Sequence, residues 1–199
     1  MEIMKKVLYT GIFIILMSSG VQAQNMFGIN YNIGLPTGST NDFIGKPSFR
    51  GFGIDYRAFL TDYVSIGVSG DWQVFYEELP AQTWEDGTRT TYGKQYRYIN
   101  TFPILLNGHY YFNEIGNPRF YIGAGIGATV VDQRTDVGLY SIEPDDTWRF
   151  GFAPEIGLLL PLGYTTSFNI SARYQYALKS GDSDAMSYLL IKVGFSFLN

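Results

Sequence analysis

The run Phe120-Tyr121-Ile122-Gly123-Ala124-Gly125-Ile126-Gly127-Ala128-Thr129-Val130 decides the fold. Its even positions are all apolar, while its odd positions are Tyr121, Gly123, Gly125, Gly127 and Thr129. A strand points successive side chains to opposite faces, so one face of this run is greasy and the other is nearly bare. A sheet face turned to water normally carries Lys, Glu and Thr. Glycines instead suit the crowded interior of a small barrel, which is only wide enough for side chains. The bare face therefore points inward and the greasy one outward to lipid. This sets aside the inverse design, a secreted lipocalin-like barrel with an apolar interior. The spacing G-x-G-x-G also lacks the G-x-G-x-x-G pattern and opens no helix, so a dinucleotide loop is excluded.

The alternation recurs along the chain. Phe52, Ile54, Tyr56 and Ala58 oppose Gly51, Gly53, Asp55 and Arg57; Val64, Ile66, Val68, Trp72 and Val74 oppose Ser65, Gly67, Ser69, Asp71 and Gln73. Eight runs are predicted: Met26 to Gly34, Phe49 to Phe59, Val64 to Tyr76, Tyr96 to Phe112, Arg119 to Val131, Trp148 to Leu160, Thr166 to Tyr176 and Ser187 to Phe197. Their connections alternate between short turns (61–63, 113–118, 161–165) and long polar loops (35–48, 77–95, 132–147, 177–186). Short periplasmic turns and long extracellular loops are the asymmetry of outer-membrane barrels. The expected fold is all-β, an eight-stranded antiparallel transmembrane up-and-down barrel with both termini periplasmic. Its lipid face is expected to carry Ile104, Leu106, Ile126, Ile156, Ile170, Ile191 and Val193. Aromatic belts are expected from Tyr110 and Phe112 at the inner rim and from Trp72, Tyr76, Tyr174 and Tyr176 at the outer rim.

Residues 1–23 read as a cleaved signal peptide: Lys5 and Lys6, an apolar stretch from Val7 to Met17, then Val21-Gln22-Ala23 as the cleavage site. That stretch is shorter than the roughly 20 residues a spanning helix needs. Residues 24–199 then form one barrel domain. Charged residues make up 16% of the chain and aromatics 17%, against roughly 25–35% charge on a soluble surface, which fits an exterior turned to lipid. The absence of cysteine excludes disulfides, thiol chemistry and Cys-based metal sites, and the single histidine, His109, excludes multi-His centres. No cofactor or metal is expected. The net charge of −4 offers no electrostatic footprint for nucleic acid and favours basic partners or cations.

Phe102-Pro103-Ile104-Leu105-Leu106 with Tyr110-Tyr111-Phe112 and Phe120 to Gly127 resembles the middle hairpin of the small outer-membrane barrel families related to OmpA, OmpX and OmpW. Phe152-Ala153-Pro154-Glu155-Ile156-Gly157 and Val193-Gly194-Phe195-Ser196-Phe197 are similar to later strands of that group. The resemblance implies the barrel, outer-membrane lipid around it, and assembly machinery that reads the C-terminal strand. Here Phe197 is followed by Leu198 and Asn199, so the terminal aromatic signal shifts inward to Phe195 and Phe197. For activity the resemblance implies a range: adhesins, tethers, small-molecule conduits and a few lipid-modifying enzymes.

Candidate residues fall in two groups. Parity points Asp55, Arg57, Asp71, Glu155, Arg173 and Lys192 into the lumen, three of each sign, where unpaired charge is costly and a mutually neutralising network is expected. Glu155, Arg173 and Lys192 are expected on one side and Asp55, Arg57 and Asp71 on the other, as a permanent plug. His109 shares the inward parity near the periplasmic end, the wrong end for chemistry on the outer leaflet, and reads as a hydrogen-bonded core residue. The second group is the loop recognition set Trp84, Asp86, Gly87 and Tyr92, on a ribbon whose Asp-Gly tip projects from the membrane and whose edge can accept an extended strand. The acidic groups Glu143, Asp145, Asp146 and Asp182, Asp184 lack a metal-loop signature and read as solvated loops. The expected function is non-catalytic, structural or in surface interaction with an extracellular protein or small molecule. The alternative is a narrow conduit for small or apolar solutes.

Overall fold

The computed structural model describes residues 24–86, 89–138, 140–142, 147–181 and 184–199. The signal-peptide reading falls on residues 1–23, outside the described residues, as do Gly87, Glu143, Asp145, Asp146 and Asp182. Nine strands follow in chain order: β1 (Asn25–Thr37), β2 (Gly51–Thr61), β3 (Val64–Asp86), β4 (Arg89–Tyr111), β5 (Arg119–Val137), β6 (Tyr140–Ile142), β7 (Thr147–Pro161), β8 (Thr166–Ala177) and β9 (Met186–Leu198). Every pairing is antiparallel and joins chain neighbours, apart from β1 with β9 and β5 with β7 across the small β6. The β1–β9 pairing, from Met26 opposite Leu198 to Thr37 opposite Ser187, closes an eight-stranded barrel. Closure leaves the spanning strands no open edge, which a lipid environment demands of a β-structure.

Alternation selects the faces as expected. Along β2 the inward Gly53, Asp55, Arg57 and Phe59 alternate with the outward Phe52, Ile54, Tyr56 and Ala58. Ile104, Leu106, Ile126, Ile156 and Ile170 stand exposed on the outside, and Ile191 and Val193, on the same face, are partly exposed. Trp72 stacks on Phe102 (6.1 Å, 9°) and Tyr176 packs on Phe152 (5.2 Å) towards the long-loop rim, while Tyr110 meets Phe112 (5.4 Å) at the short-turn rim. With ~3.3 Å per residue and a tilt of roughly 40°, the rise along the chain from Phe102 to Phe112 is about 25 Å, the height of a lipid-facing band.

The glycines of the deciding run have a steric cause. A Cβ on Gly123 would lie 2.4 Å from His109 Cδ2, on Gly125 2.4 Å from Asn107 Oδ1, and on Gly127 2.1 Å from the Ile104 carbonyl oxygen. The short turns are held locally: Thr61 Oγ1 accepts from the N–H groups of Tyr63 (3.2 Å) and Val64 (3.1 Å), and Asn113 Nδ2 donates to the Pro118 carbonyl (2.7 Å).

Two features depart from the sequence expectations. The loop after β1 holds a helix, α1 (Gly38–Phe43), entered through Gly38 at φ 53°, and it turns into the barrel mouth. Thr40 is buried there, its Oγ1 accepting from Ser187 N–H (2.9 Å), and Ile44 is fully buried. The strands β3 and β4 run past the barrel rim, as the ribbon reading expects, but β5 also runs on to Val137 and β6 adds to that extension. The sequence placed the β5 and β6 extension in a loop because outside the bilayer both faces meet water and the period-two signal fades.

Candidate functional site

Three layers of side chains fill the described interior. Nearest the short turns, Met26, Phe59, Tyr111, Tyr121 and Leu159 form an apolar cluster. Arg119 lies over the rings of Tyr111 (4.0 Å to the centroid) and Phe59 (4.9 Å) and donates to the Asp62 carbonyl (2.7 Å). Nearest the long loops, Ile44, Phe75, Ile99, Val131, Met186, Tyr188 and Leu190 form a second cluster, with Phe43 of α1 packed on it.

Between them lie the six charges read from parity, all buried. Arg173 reaches Glu155 through Nε (2.6 Å) and Nη2 (2.5 Å) and Asp71 through Nη1 (2.8 Å). Lys192 Nζ meets the other oxygen of Asp71 at 2.9 Å. Arg57 Nε lies 3.2 Å from Asp55, and its Nη2 lies 3.8 Å from Glu155. Arg173–Asp71, Lys192–Asp71 and Arg57–Glu155 join the Glu155, Arg173 and Lys192 set to the Asp55, Arg57 and Asp71 set in one continuous network. Closure through β1 and β9 brings β2 and β3 round to face β7, β8 and β9 across a lumen one pair of side chains wide.

Neutral donors complete the carboxylates. Asn30 Nδ2 donates to Asp55 Oδ1 and Asn32 Nδ2 to Asp71 Oδ1, each at 2.8 Å; Tyr121 OH donates to Glu155 Oε1 at 2.7 Å. Ser69 Oγ accepts from Arg173 Nη1 (3.0 Å), and Asn169 Nδ2 donates to Asn30 Oδ1 (3.0 Å). The three carboxylates and Arg173 thus each gain a neutral hydrogen-bond partner, which offsets part of the desolvation that makes buried ion pairs costly. The parity argument missed Asn30, Asn32 and Asn169, although all three share the inward parity of their strands.

His109 is buried, with Nδ1 3.4 Å from Ser65 Oγ and its ring edge-on to Tyr121 (5.4 Å). Its ring thus packs on a member of the cluster at the short-turn end.

Outside the barrel, β3 leaves β2 at Gln73 opposite Gly51 and continues, paired with β4, to Asp86 opposite Arg89. The backbones of Trp84 and Asp86 belong to this ribbon, Trp84 opposite Thr91; Tyr92, opposite Thr83, is 75% exposed. Among the described residues, the β3 edge turned away from β4 has no strand partner from Val74 outward, and its tethers are few: Val74 N–H to the Arg50 carbonyl (3.0 Å), Ser48 Oγ to the Val74 carbonyl, and Gly45 N–H to Glu77 (2.8 Å). The opposite ribbon edge is covered by β5 up to Gln95 opposite Val137. On the outward face Tyr76 packs between Tyr96 (6.5 Å) and Tyr98 (5.0 Å), and Arg134 lies over Tyr98 (4.7 Å). Lys94 Nζ donates to Glu78 at 2.5 Å, and this hydrogen bond raises the affinity of the exposed ammonium for its proton.

A closed eight-stranded barrel with an apolar exterior, two aromatic levels and a polar, filled interior is an outer-membrane β-barrel. The scan against protein-family models finds no match, and the search of curated proteins finds none either. Solved structures do match. The outer membrane protein OprG of Pseudomonas aeruginosa has a TM-score of 0.58 at 13% identity, covering 89% of this chain and 96% of that one. Ail, the attachment invasion locus protein of Yersinia pestis, in complex with the heparin analogue sucrose octasulfate, has a TM-score of 0.56 at 13% identity, covering 90% and 100%. The N-terminal barrel domain of Pseudomonas aeruginosa OprF has a TM-score of 0.51 at 16% identity, covering 89% and 100%. The chain therefore has the fold of the small eight-stranded outer-membrane barrels.

Proposed function

We propose that this protein is a non-catalytic recognition barrel of the cell surface, anchored by its outer-membrane wall and binding an extracellular partner through the β3–β4 ribbon. The observation that carries this reading is the β3 edge beyond Gln73, unpaired by any strand of the described residues on the side away from β4. At ~3.3 Å per residue, Tyr76–Asp86 offers roughly 35 Å of backbone past the rim, room for an extended segment to add as a further strand. Tyr92 stands exposed near the end of that ribbon, the backbones of Trp84 and Asp86 belong to it, and with Gly87, which lies outside the described residues, these are the residues we assign to recognition. The ligand-bound structure of Ail supports a recognition role for a barrel of this shape.

Catalysis finds no support. Ser65 and His109 approach each other, but inside the wall, where neither an outer-leaflet lipid nor an extracellular substrate reaches them. The conduit reading meets the filled interior: all six luminal charges are consumed by one another, with an apolar layer on either side.

The test shortens the ribbon. Residues 80–92 are replaced by an Asn-Gly turn, leaving the spanning strands intact, and cells displaying either form are compared for adhesion to immobilised heparin and to extracellular-matrix proteins. Adhesion by the full-length form that is lost on shortening supports the reading. Equal adhesion by the two forms, or steady solute flux through the unmodified protein in vesicles, overturns it.

A further inference from the structure

Glu77 of β3 stands directly opposite Arg97 of β4, and both carry on the inward parity of the pair below them, Phe75 opposite Ile99. Opposite charges facing each other across two strands ordinarily pair. Among the described residues no ion pair within 4.0 Å joins these two. Each is turned instead to the chain that leaves α1. Arg97 Nη1 donates to the Phe43 carbonyl (2.8 Å), with its guanidinium carbon 4.8 Å from the centre of the Phe43 ring, and Glu77 Oε2 accepts from Gly45 N–H (2.8 Å). The two charges thus grip the residues on either side of Ile44.

Ile44 is fully buried in the same cluster as Phe75, Ile99, Tyr188 and Leu190, yet it comes from a connection rather than from the barrel wall. The other end of its segment is tied near the start of β9: Thr40 Oγ1 accepts from Ser187 N–H (2.9 Å), and Ser39 Oγ donates to the Ala185 carbonyl. A cavity of about 280 Å³ separates Thr40 and Phe43 of α1 from Val131 and Gln133 of β5. The mouth is therefore not packed solid around α1, and the helix has room to shift. Gly38, at φ 53°, and Gly45 stand at its two ends, where the chain can swivel.

We infer that α1 with Ile44 is a hinged lid on the outer apolar layer, latched shut by Glu77 and Arg97. The latch has a second state built into the register. When residues 43–45 swing away, the two freed charges already lie opposite each other and pair, so opening strands neither of them. The apolar burial of Ile44 keeps the closed state favoured. Opening bares a socket of Phe75, Ile99 and Tyr188 to the medium, and no path through the barrel follows, because the ion network and the inner apolar cluster lie below it. The inference does not depend on the ribbon's role in recognition.

The chain has no cysteine, so one introduced thiol reports on the socket alone. Leu190→Cys places it there, at a fully buried position, and Tyr92→Cys gives the rate of an exposed thiol. The purified barrel in detergent, its folding checked by the heat-dependent gel shift of β-barrels, is labelled with N-ethylmaleimide and followed by mass spectrometry. Labelling at position 190 is expected to be far slower than at position 92. The deciding variant adds the charge swap Glu77→Arg with Arg97→Glu to the position-190 reporter. The swap keeps the cross-strand pair but sets an acceptor against the Phe43 carbonyl and a donor against Gly45 N–H, so both latch bonds are lost. It is expected to speed labelling at least about tenfold with the barrel still folded, in line with the loss of one charge-assisted hydrogen bond. The swap Glu78→Lys with Lys94→Glu, at an exposed ion pair of the same ribbon (2.5 Å), leaves the rate unchanged. A 77/97 swap that labels no faster than the unswapped reporter, or no faster than the 78/94 swap, overturns the latch. Labelling at position 190 as fast as at position 92 in the unswapped protein overturns the lid, since the socket would then stand open.

Discussion

Arg173 of β8 and Glu155 of β7 sit opposite each other in register and are joined twice, through Nε at 2.6 Å and Nη2 at 2.5 Å, with both side chains buried. Arg173 also holds Asp71 at 2.8 Å, so one guanidinium bridges two carboxylates from opposite walls. These two carboxylates do not depend on it equally. Within 4.0 Å, Asp71 keeps Lys192 at 2.9 Å, whereas Glu155 keeps Arg57 at the longer 3.8 Å and the Tyr121 hydroxyl at 2.7 Å.

Arg173→Ala therefore strands Glu155 more than Asp71. The expected loss is about 3–5 kcal/mol, the cost of leaving one member of a dry pair unpartnered. Urea unfolding in lipid vesicles, followed by tryptophan fluorescence, measures it. Adding Glu155→Gln to the same chain should recover part of the loss, because the neutral amide needs no counter-charge. A loss under ~1 kcal/mol would place the network in water rather than in a dry lumen.

Ile156→Arg tests the lipid face. Ile156 is 62% exposed on the outer wall, between Phe152 and Phe120 levels of its neighbours, and its side chain meets hydrocarbon. Arginine there should cost about 2–4 kcal/mol, whereas Phe112→Arg at the inner rim should cost roughly 0–1 kcal/mol. Equal costs at the two depths would contradict the placement of the aromatic levels.

Glycine substitutions separate inside from outside. A Cβ at Gly127 would lie 2.1 Å from the Ile104 carbonyl and 3.0 Å from Leu105 Cα, both backbone atoms that cannot rotate away. At Gly108, on the lipid side, a Cβ would meet nothing within 4 Å. Gly127→Ala should destabilise by about 1–3 kcal/mol through overpacking, and Gly108→Ala should stay within ~0.5 kcal/mol. The same unfolding assay reads both.

Side-chain parity made the barrel legible, because lipid on one side and a narrow lumen on the other enforce it at every spanning residue. The inward positions of Asp55, Arg57, Asp71, Glu155, Arg173 and Lys192 followed from parity alone; their partners did not. Which charge meets which depends on barrel closure and shear, relations between strands far apart in the chain, as with Arg57 and Glu155. The outer apolar layer left one trace in the sequence: in Tyr188-Leu189-Leu190-Ile191 both parities turn apolar, which a water-filled vestibule would not require. Ile44 left none, since its burial is a consequence of α1 folding into the mouth. The ribbon was legible through its Asp86-Gly87 tip, a hairpin signal between two strand-forming runs.

Conductance tests the filled interior as a series of barriers. An ion crossing the lumen meets the cluster of Phe75, Tyr188 and Ile44, then the charge network, then Phe59, Tyr111 and Tyr121. Barriers in series are governed by whichever remains, so opening one layer should leave the barrel closed. In planar bilayers the unmodified protein should pass no steady current, and neither should Arg173→Ala nor the double variant Phe75→Ala with Tyr188→Ala. Current should appear only when truncations in all three layers are combined, as with Phe59→Ala added to the other three. Steady current from Arg173→Ala alone would mean that the two apolar layers admit water and ions, and the conduit reading would then replace the closed barrel.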